Sequence, residues 1–292
     1  MADDLPLEIL RRKIDSIDDK IHDLLMQRTE VVGKVGAVKR KSGAADGALA
    51  LRPGREAEIL RRLVKRHSGS FPVGALVRIW RELLSAQVAV QGDFSIAVFA
   101  PDETGVYHDL GRDQFGSSVP VKKYQAVDQV VQDVWSGNDS IGILPYPVGE
   151  RESPWWRSLI GAGAGAPKII ALLPFLEVAY DGSEHHAAVA IATIEPEPTG
   201  DDASMLAIEC VEDVSRDRLR EELVSSGLGD EMIAAWQDPD QDGRALYLVL
   251  VDDFLRHDDR RLEVFKARAG ATVRRTDIIG IYPRPISAGG SV

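Results

Sequence analysis

Cysteine is all but missing from this chain. Cys210 stands alone among 292 residues, which excludes an intrachain disulfide and leaves no Cys-x-x-Cys pair for a structural metal. Long apolar runs are missing too, since nothing approaches the roughly 18 to 20 consecutive apolar residues that a membrane-spanning helix requires. The N-terminus lacks a secretory pattern: Asp3 and Asp4 stand where a signal peptide carries basic residues ahead of its apolar core. Gly161-Ala162-Gly163-Ala164-Gly165-Ala166 is glycine-rich, but no Lys-Ser/Thr pair closes it and no clear strand precedes it, so no phosphate loop is expected. His185 and His186 are adjacent and would point to opposite faces of a strand, which favours a surface loop over a metal site. The expectation is a cytoplasmic protein without cofactor, metal or membrane segment.

What is present is a globular composition, 44% apolar and 28% charged, in a chain long enough for two or three domains. The net charge of -11 conceals a split. Residues 1–91 hold 17 Lys and Arg against 12 Asp and Glu, a balance of +5, whereas residues 92–292 hold 18 against 34, a balance of -16. A basic segment suits a small polyanion or merely a solvated helix surface. The acidic remainder would repel a long nucleic acid, so none is expected as partner.

From Leu7 to Val38 the apolar residues follow a heptad: Leu7, Leu10, Ile14, Ile17, Ile21, Leu24, Val31, Val35 and Val38. Such a seam demands a partner helix. Asp3 or Asp4 would cap the start and Ser42-Gly43 would stop the helix. About 36 residues at 1.5 Å each give a rod on the order of 54 Å, too long for one compact ninety-residue monomer to cover. An intertwined dimer resolves the mismatch. Arg28 occupies a seam position where an apolar residue belongs, and a guanidinium there costs several kcal/mol unless an anion meets it. By itself it could pair with a carboxylate to fix register. Lys39, however, lies eleven residues on, within about 20° of the same face. Arg11 points about 100° away, where a twin subunit could use it. Between the aligned cations, Gly33 and Gly36 serve either close helix packing or room for a ligand.

Residues 43–51 read as a loop, Arg52-Pro53-Gly54-Arg55-Glu56 opens a second helix running to about His67, and a third helix runs from near Pro72 towards Gln91. Four blocks in order resemble the all-helical chorismate mutases: Leu10 to Asp18, Leu24 to Arg28, Val35 to Lys39, and Arg52 to Glu56. The resemblance covers nearly all of residues 5–91. It implies that Arg11 is donated across a homodimer interface, that Arg28 and Lys39 act in their own subunit's site, and that Arg55, Glu56 and Gln91 complete the catalytic set. Arg52 and Gln87 stand at substrate-binding positions where relatives often carry other residue types.

The chemistry of that family explains the residue types. Chorismate is a dianion whose rearrangement to prephenate breaks a C–O bond and forms a C–C bond in one unimolecular step, with no nucleophile and no proton transfer. An enzyme must hold a compact conformer and stabilise charge growing on the ether oxygen. Arg28 and the partner's Arg11 would clamp carboxylates bidentately. Lys39 and Gln91 would donate to the ether oxygen, Glu56 would hold the ring hydroxyl, and Arg55 would orient Glu56 or border the ring.

Beyond Gly92 the pattern alternates strand and helix. Phe94 to Phe99, Ser140 to Leu144 and Ile169 to Leu173 read as strands, and Gln125 to Trp135 as a helix. Ile96-Ala97-Val98-Phe99-Ala100-Pro101 and Ile141-Gly142-Ile143-Leu144-Pro145 resemble the start of prephenate dehydratase domains, in a region about half the expected length. Tyr146-Pro147-Val148 replaces that family's acidic-amide motif, and His185-His186-Ala187-Ala188-Val189 stands where its Thr-Arg-Phe motif belongs. The final segment resembles an ACT-type regulatory domain, with strands at Ser204 to Val211, Ala245 to Asp252 and Gly280 to Pro283 and helices at Arg216 to Ser225 and Leu262 to Ala269. The resemblance implies pairing and amino-acid binding between subunits, with an aromatic amino acid as the effector class, although Gln237 to Gly243 replaces that family's effector motif.

The expected organisation is multidomain: an all-α three-helix mutase domain at 1–91 in an intertwined dimer, a truncated dehydratase-like α/β region at 92–190, and an ACT-like α+β domain at 191–292. The expected activity is chorismate mutase in phenylalanine and tyrosine biosynthesis. Two alternatives stand beside it: a non-catalytic regulatory or interaction protein retaining the mutase fold, and a bifunctional mutase/prephenate dehydratase.

Overall fold

A computed structural model of the chain describes residues 6–41, 49–148, 154–163, 165–177, 187–211, 214–237 and 244–287. The expected helix cap at Asp3 or Asp4, the stop at Ser42-Gly43, the His185-His186 pair and most of the acidic loop after Gln237 lie outside the described residues. Two compact units emerge, one comprising residues 1–50 with 87–93, the other residues 51–86 with 94–292. No described helix is both long and apolar enough to cross a membrane.

In the first unit, helix α1 (Leu7–Lys41) runs for 35 residues. Its heptad seam lies open: Leu24 is 62% and Val38 63% exposed, with Ile14, Ile17 and Ile21 similarly bare. A neighbouring stripe, Leu25, Arg28, Thr29, Val32 and Gly36, is instead half-buried or buried. Those positions recur at three- and four-residue intervals, one step around the helix from the seam. The polypeptide thus covers one face of α1 and leaves its most apolar face uncovered.

In the second unit, α2 (Pro53–Arg66) starts with proline in its first turn, where the lost N–H has no intrahelical partner to forgo. It buries Gly54, Glu56, Ala57 and Leu60. Helix α3 (Val73–Gln91) follows, and only its last turn belongs to the first unit. The chain then builds β1 (Ile96–Phe99), α4 (Val106–Phe115), β2 (Val121–Tyr124), α5 (Val127–Trp135), β3 (Ile141–Pro145), β4 (Lys168–Leu173), β5 (Leu176–Glu177) and β6 (Ala188–Ala192). After these come β7 (Asp202–Cys210), α6 (Arg216–Ser225), β8 (Glu231–Gln237), β9 (Ala245–Val251), α7 (Arg260–Ala269), β10 (Val273–Pro283) and β11 (Ile286–Ser287).

Nine strands form one sheet in the order β2-β1-β3-β6-β4-β10-β7-β9-β8. Its last four strands, with α6 and α7, run βαββαβ in a ferredoxin-like order. β4 and β10 pair in parallel through Ile169 and Gly280, so a single sheet passes through both 92–190 and 191–292. All nine residues of β7 are buried because both faces are covered. Leu206, Ile208 and Cys210 pack against Leu219, Leu223 and Phe265 of the two helices. On the other side Ala203, Met205 and Ala207 join Trp155, Trp156 and Leu159. The architecture is multidomain, an all-helical N-terminal segment followed by an α/β sheet.

Candidate functional site

Arg11, Arg28, Lys39, Gln87 and Gln91 belong to the first unit; Arg52, Arg55 and Glu56 belong to the second. Arg11 is exposed and its Nη1 lies 3.8 Å from Glu8 one turn earlier. Arg28 sits on the packed stripe of α1, half-buried. Lys39 lies in the helix, but its side chain falls outside the described residues.

One step along that stripe the first unit holds a notch of about 130 Å³, lined by Thr29, Val32, Gly33, Gly36, Gln87, Val90 and Gln91. The two glycines therefore border open space, and a Cβ added at Gly33 would meet nothing within 4 Å. Thr29 donates its hydroxyl hydrogen to the Leu25 carbonyl at 2.9 Å, which commits that donor to its own helix. The Gln91 amide Nε2 donates to the Gln87 carbonyl at 2.9 Å. Gln87 is 6% exposed, and its own Nε2 has no hydrogen-bond partner among the described residues. A buried donor in that state carries a desolvation cost of about 1–3 kcal/mol that an incoming acceptor would relieve.

The second unit commits its site residues differently. Arg55 donates to Glu58 at 2.8 Å on the exposed side of α2, so it does not orient Glu56. Glu56 is instead held by Arg81 of α3, whose Nη1 lies 3.0 Å from Glu56 Oε2. Both side chains are nearly inaccessible, at 10% and 4% exposure. Burial pushes the Arg81 guanidinium down to about 10 while the Glu56 carboxylate opposes the fall, so Arg81 stays charged near neutrality. Its Cζ also lies 4.8 Å from the centroid of the Phe175 ring. Arg52, just ahead of α2, reaches Glu197 through Nε at 3.1 Å and Nη2 at 2.5 Å. That pairing anchors α2 where the approach is close: a Cβ on Gly54 would meet the Glu197 carbonyl at 3.1 Å.

Arg81 was missed in the sequence although its signal is that of Arg28, a cation inside the apolar run Ile79, Trp80, Leu83 and Leu84. A second feature not read from sequence is a cleft of about 650 Å³ in the second unit, lined among others by Arg157, Arg244, Arg274 and Arg275. Buried Glu209 accepts from Arg244 at 3.1 Å and Arg274 at 3.3 Å, and Arg157 stacks 3.7 Å over the Trp236 ring. The described residues contain no cluster of His, Cys, Asp or Glu able to hold a metal.

Residues 10–92 match the family model of chorismate mutase type II. The N-terminal segment is a type II chorismate mutase domain. All eight site positions read from the sequence fall within it. The bifunctional chorismate mutase/prephenate dehydratase of Stutzerimonas stutzeri is 31% identical over 140 residues, 48% of this chain and 38% of that protein. The chain therefore spans well under half the length of the relative it matches. The alignment is longer than the mutase domain and so extends beyond it. Among solved structures, a quorum-quenching acylase, GqqA, superposes with a TM-score of 0.47 at 15% identity, covering 66% of this chain and 96% of that one. Prephenate dehydratase from Streptococcus mutans superposes with a TM-score of 0.46 at 12% identity, covering 66% and 99%.

Proposed function

We propose that the protein converts chorismate to prephenate. The observation that carries this reading is that the domain matched at residues 10–92 holds a cation or hydrogen-bonding group at each position the rearrangement needs. Arg28, with Arg11 from a second copy, clamps the two carboxylates and holds the reacting carbons together. Lys39 and Gln91 stabilise the negative charge that grows on the ether oxygen as the C–O bond breaks. Gln87 adds an amide beside the Gly33 and Gly36 notch, Glu56 receives the ring hydroxyl, and Arg55 borders the ring. Arg52, already engaged by Glu197, acts on substrate only through the electrostatic field.

The open seam of α1 supports a homodimer in which each seam covers the other, which also brings Arg11 to the neighbouring site. The ferredoxin-like segment supports a regulatory role with an aromatic amino acid as effector. Mutase activity sits in the aromatic amino acid pathway in the cytoplasm. A second reading, a bifunctional mutase/dehydratase, is favoured by one observation: the bifunctional relative aligns beyond the mutase domain. The mutase-only reading rests on the shortened dehydratase-like region.

The test is chorismate consumption by the purified full chain, with product identified as prephenate or phenylpyruvate. Prephenate alone supports the mutase, and phenylpyruvate supports the bifunctional reading. No consumption, or full rate in Lys39→Ala, overturns the mutase assignment. Repeating the assay with phenylalanine and tyrosine tests the effector, and an unchanged rate overturns it.

A further inference from the structure

Resting on the mutase reading, we propose that Arg81 is a positioning residue that holds Glu56 for the substrate, and that Phe175, outside the mutase domain, holds Arg81 in turn. The guanidinium engages one carboxylate oxygen of Glu56 at 3.0 Å and lies 4.8 Å from the Phe175 ring centroid. Its charge is thereby shared between a carboxylate and an aromatic face. Ala57, Leu60 and Val77 form one buried cluster with Phe175 and Leu176, and both members of the pair are themselves nearly inaccessible to water.

A purely structural account explains the pair poorly. Apolar residues of similar volume serve a core as well as or better than a buried ion pair, because two charges must be stripped of water. The arrangement makes sense where the carboxylate itself is required. Glu56 lies in the first turn of α2, where the helix dipole favours a negative charge, and Arg81 fixes its direction from a separate helix. Arginine suits this task because it stays protonated despite burial. The consequence is that the short segment around β5 forms part of the mutase machinery although it lies about eighty positions beyond the domain's end.

A double-mutant cycle on the full-length chain tests this, with kcat and KM for chorismate measured for each variant. Arg81→Gln lowers kcat/KM at least tenfold when Glu56 is present and less than twofold in a Glu56→Gln background. Arg81→Lys recovers part of the loss, and Phe175→Leu lowers kcat/KM two- to fivefold. The Glu56→Gln/Arg81→Gln protein contains no unpaired buried charge, so it keeps the cycle measurable if Arg81→Gln alone misfolds; its rate then has to match that of Glu56→Gln. Equal losses in both backgrounds, or no loss in either, overturn the proposal while leaving the mutase reading intact. Absence of turnover in the unaltered chain overturns both.

Discussion

The Gln91 side chain donates its amide hydrogen to the Gln87 carbonyl at 2.9 Å, one helical turn back along α3. To donate to a substrate oxygen, Gln91 has to exchange that local bond for one to the ligand. The exchange is isoenergetic to first order, so it costs little binding and acts where charge develops. Gln91→Ala is expected to lower kcat about 100-fold with a much smaller change in KM, measured by steady-state chorismate turnover. A loss confined to KM would assign Gln91 to ground-state binding instead.

The apolar seam of α1 predicts concentration-dependent behaviour. With Ile14, Ile17 and Ile21 each more than half exposed, the single chain leaves a stripe that water disfavours. Sedimentation is expected to show a dimer, and the melting temperature is expected to rise with protein concentration. Ile17→Asp should give a monomer with lost mutase activity. A dimer that survives this change would place the contact elsewhere.

Cys210 is buried at the end of β7, and burial, with the neighbouring Glu209 charge, pushes its thiol up to about 12. Thiolate is the reactive form, so a thiol reagent at pH 7 should leave the folded protein unlabelled. One equivalent should react once urea unfolds the chain. Labelling in buffer alone would show that this end of the sheet opens readily.

Asp259 caps α7: its carboxylate accepts from the Arg261 amide at 2.9 Å and from Arg261 Nη2 at 2.7 Å. Hydrogen bonding from the Arg261 side chain holds Asp259 below the usual carboxylate range. A depressed folded value means the stabilisation is complete above the unfolded value of about 3.9 and is lost as pH falls through the folded value. Asp259→Ala should cost about 1 kcal/mol at pH 7 in urea denaturation. The gap between variant and parent should narrow with acidification below about pH 4; a gap independent of pH would assign the loss to shape rather than charge.

The long helix was legible because nine heptad positions repeat one chemical choice, and the helices and most strands of the ferredoxin-like segment were legible from dense apolar runs. β6, Ala188-Val189-Ala190-Ile191-Ala192, escaped reading because alternate alanines carry little strand preference. α4 escaped because Gly111 and Asp109 interrupt its apolar pattern. Arg28 announced itself as a charge on an apolar seam, whereas Arg81 was camouflaged between Arg78 and Glu82, two exposed charges of ordinary helix surface. The partner of Glu56 was illegible for a deeper reason. Arg55 is its neighbour in sequence but projects about 100° around the helix from it, and the actual partner lies on another helix, 25 residues away.

Gly280 is the position where β10 approaches β4 closely, and it is expected to bear on how the α/β region melts. A Cβ there would lie 2.4 Å from the Ile169 Cβ and 3.0 Å from its carbonyl oxygen, so only glycine lets β10 close on β4. Five strands lie on one side of this junction and four on the other. With hydrogen at this position the two halves are expected to share one cooperative transition in calorimetry. With a methyl group the halves lose their common edge, and heat should resolve them into separate events. Cooperativity across nine strands is therefore expected to depend on the smallest side chain at that junction as well as on the apolar core the two halves share.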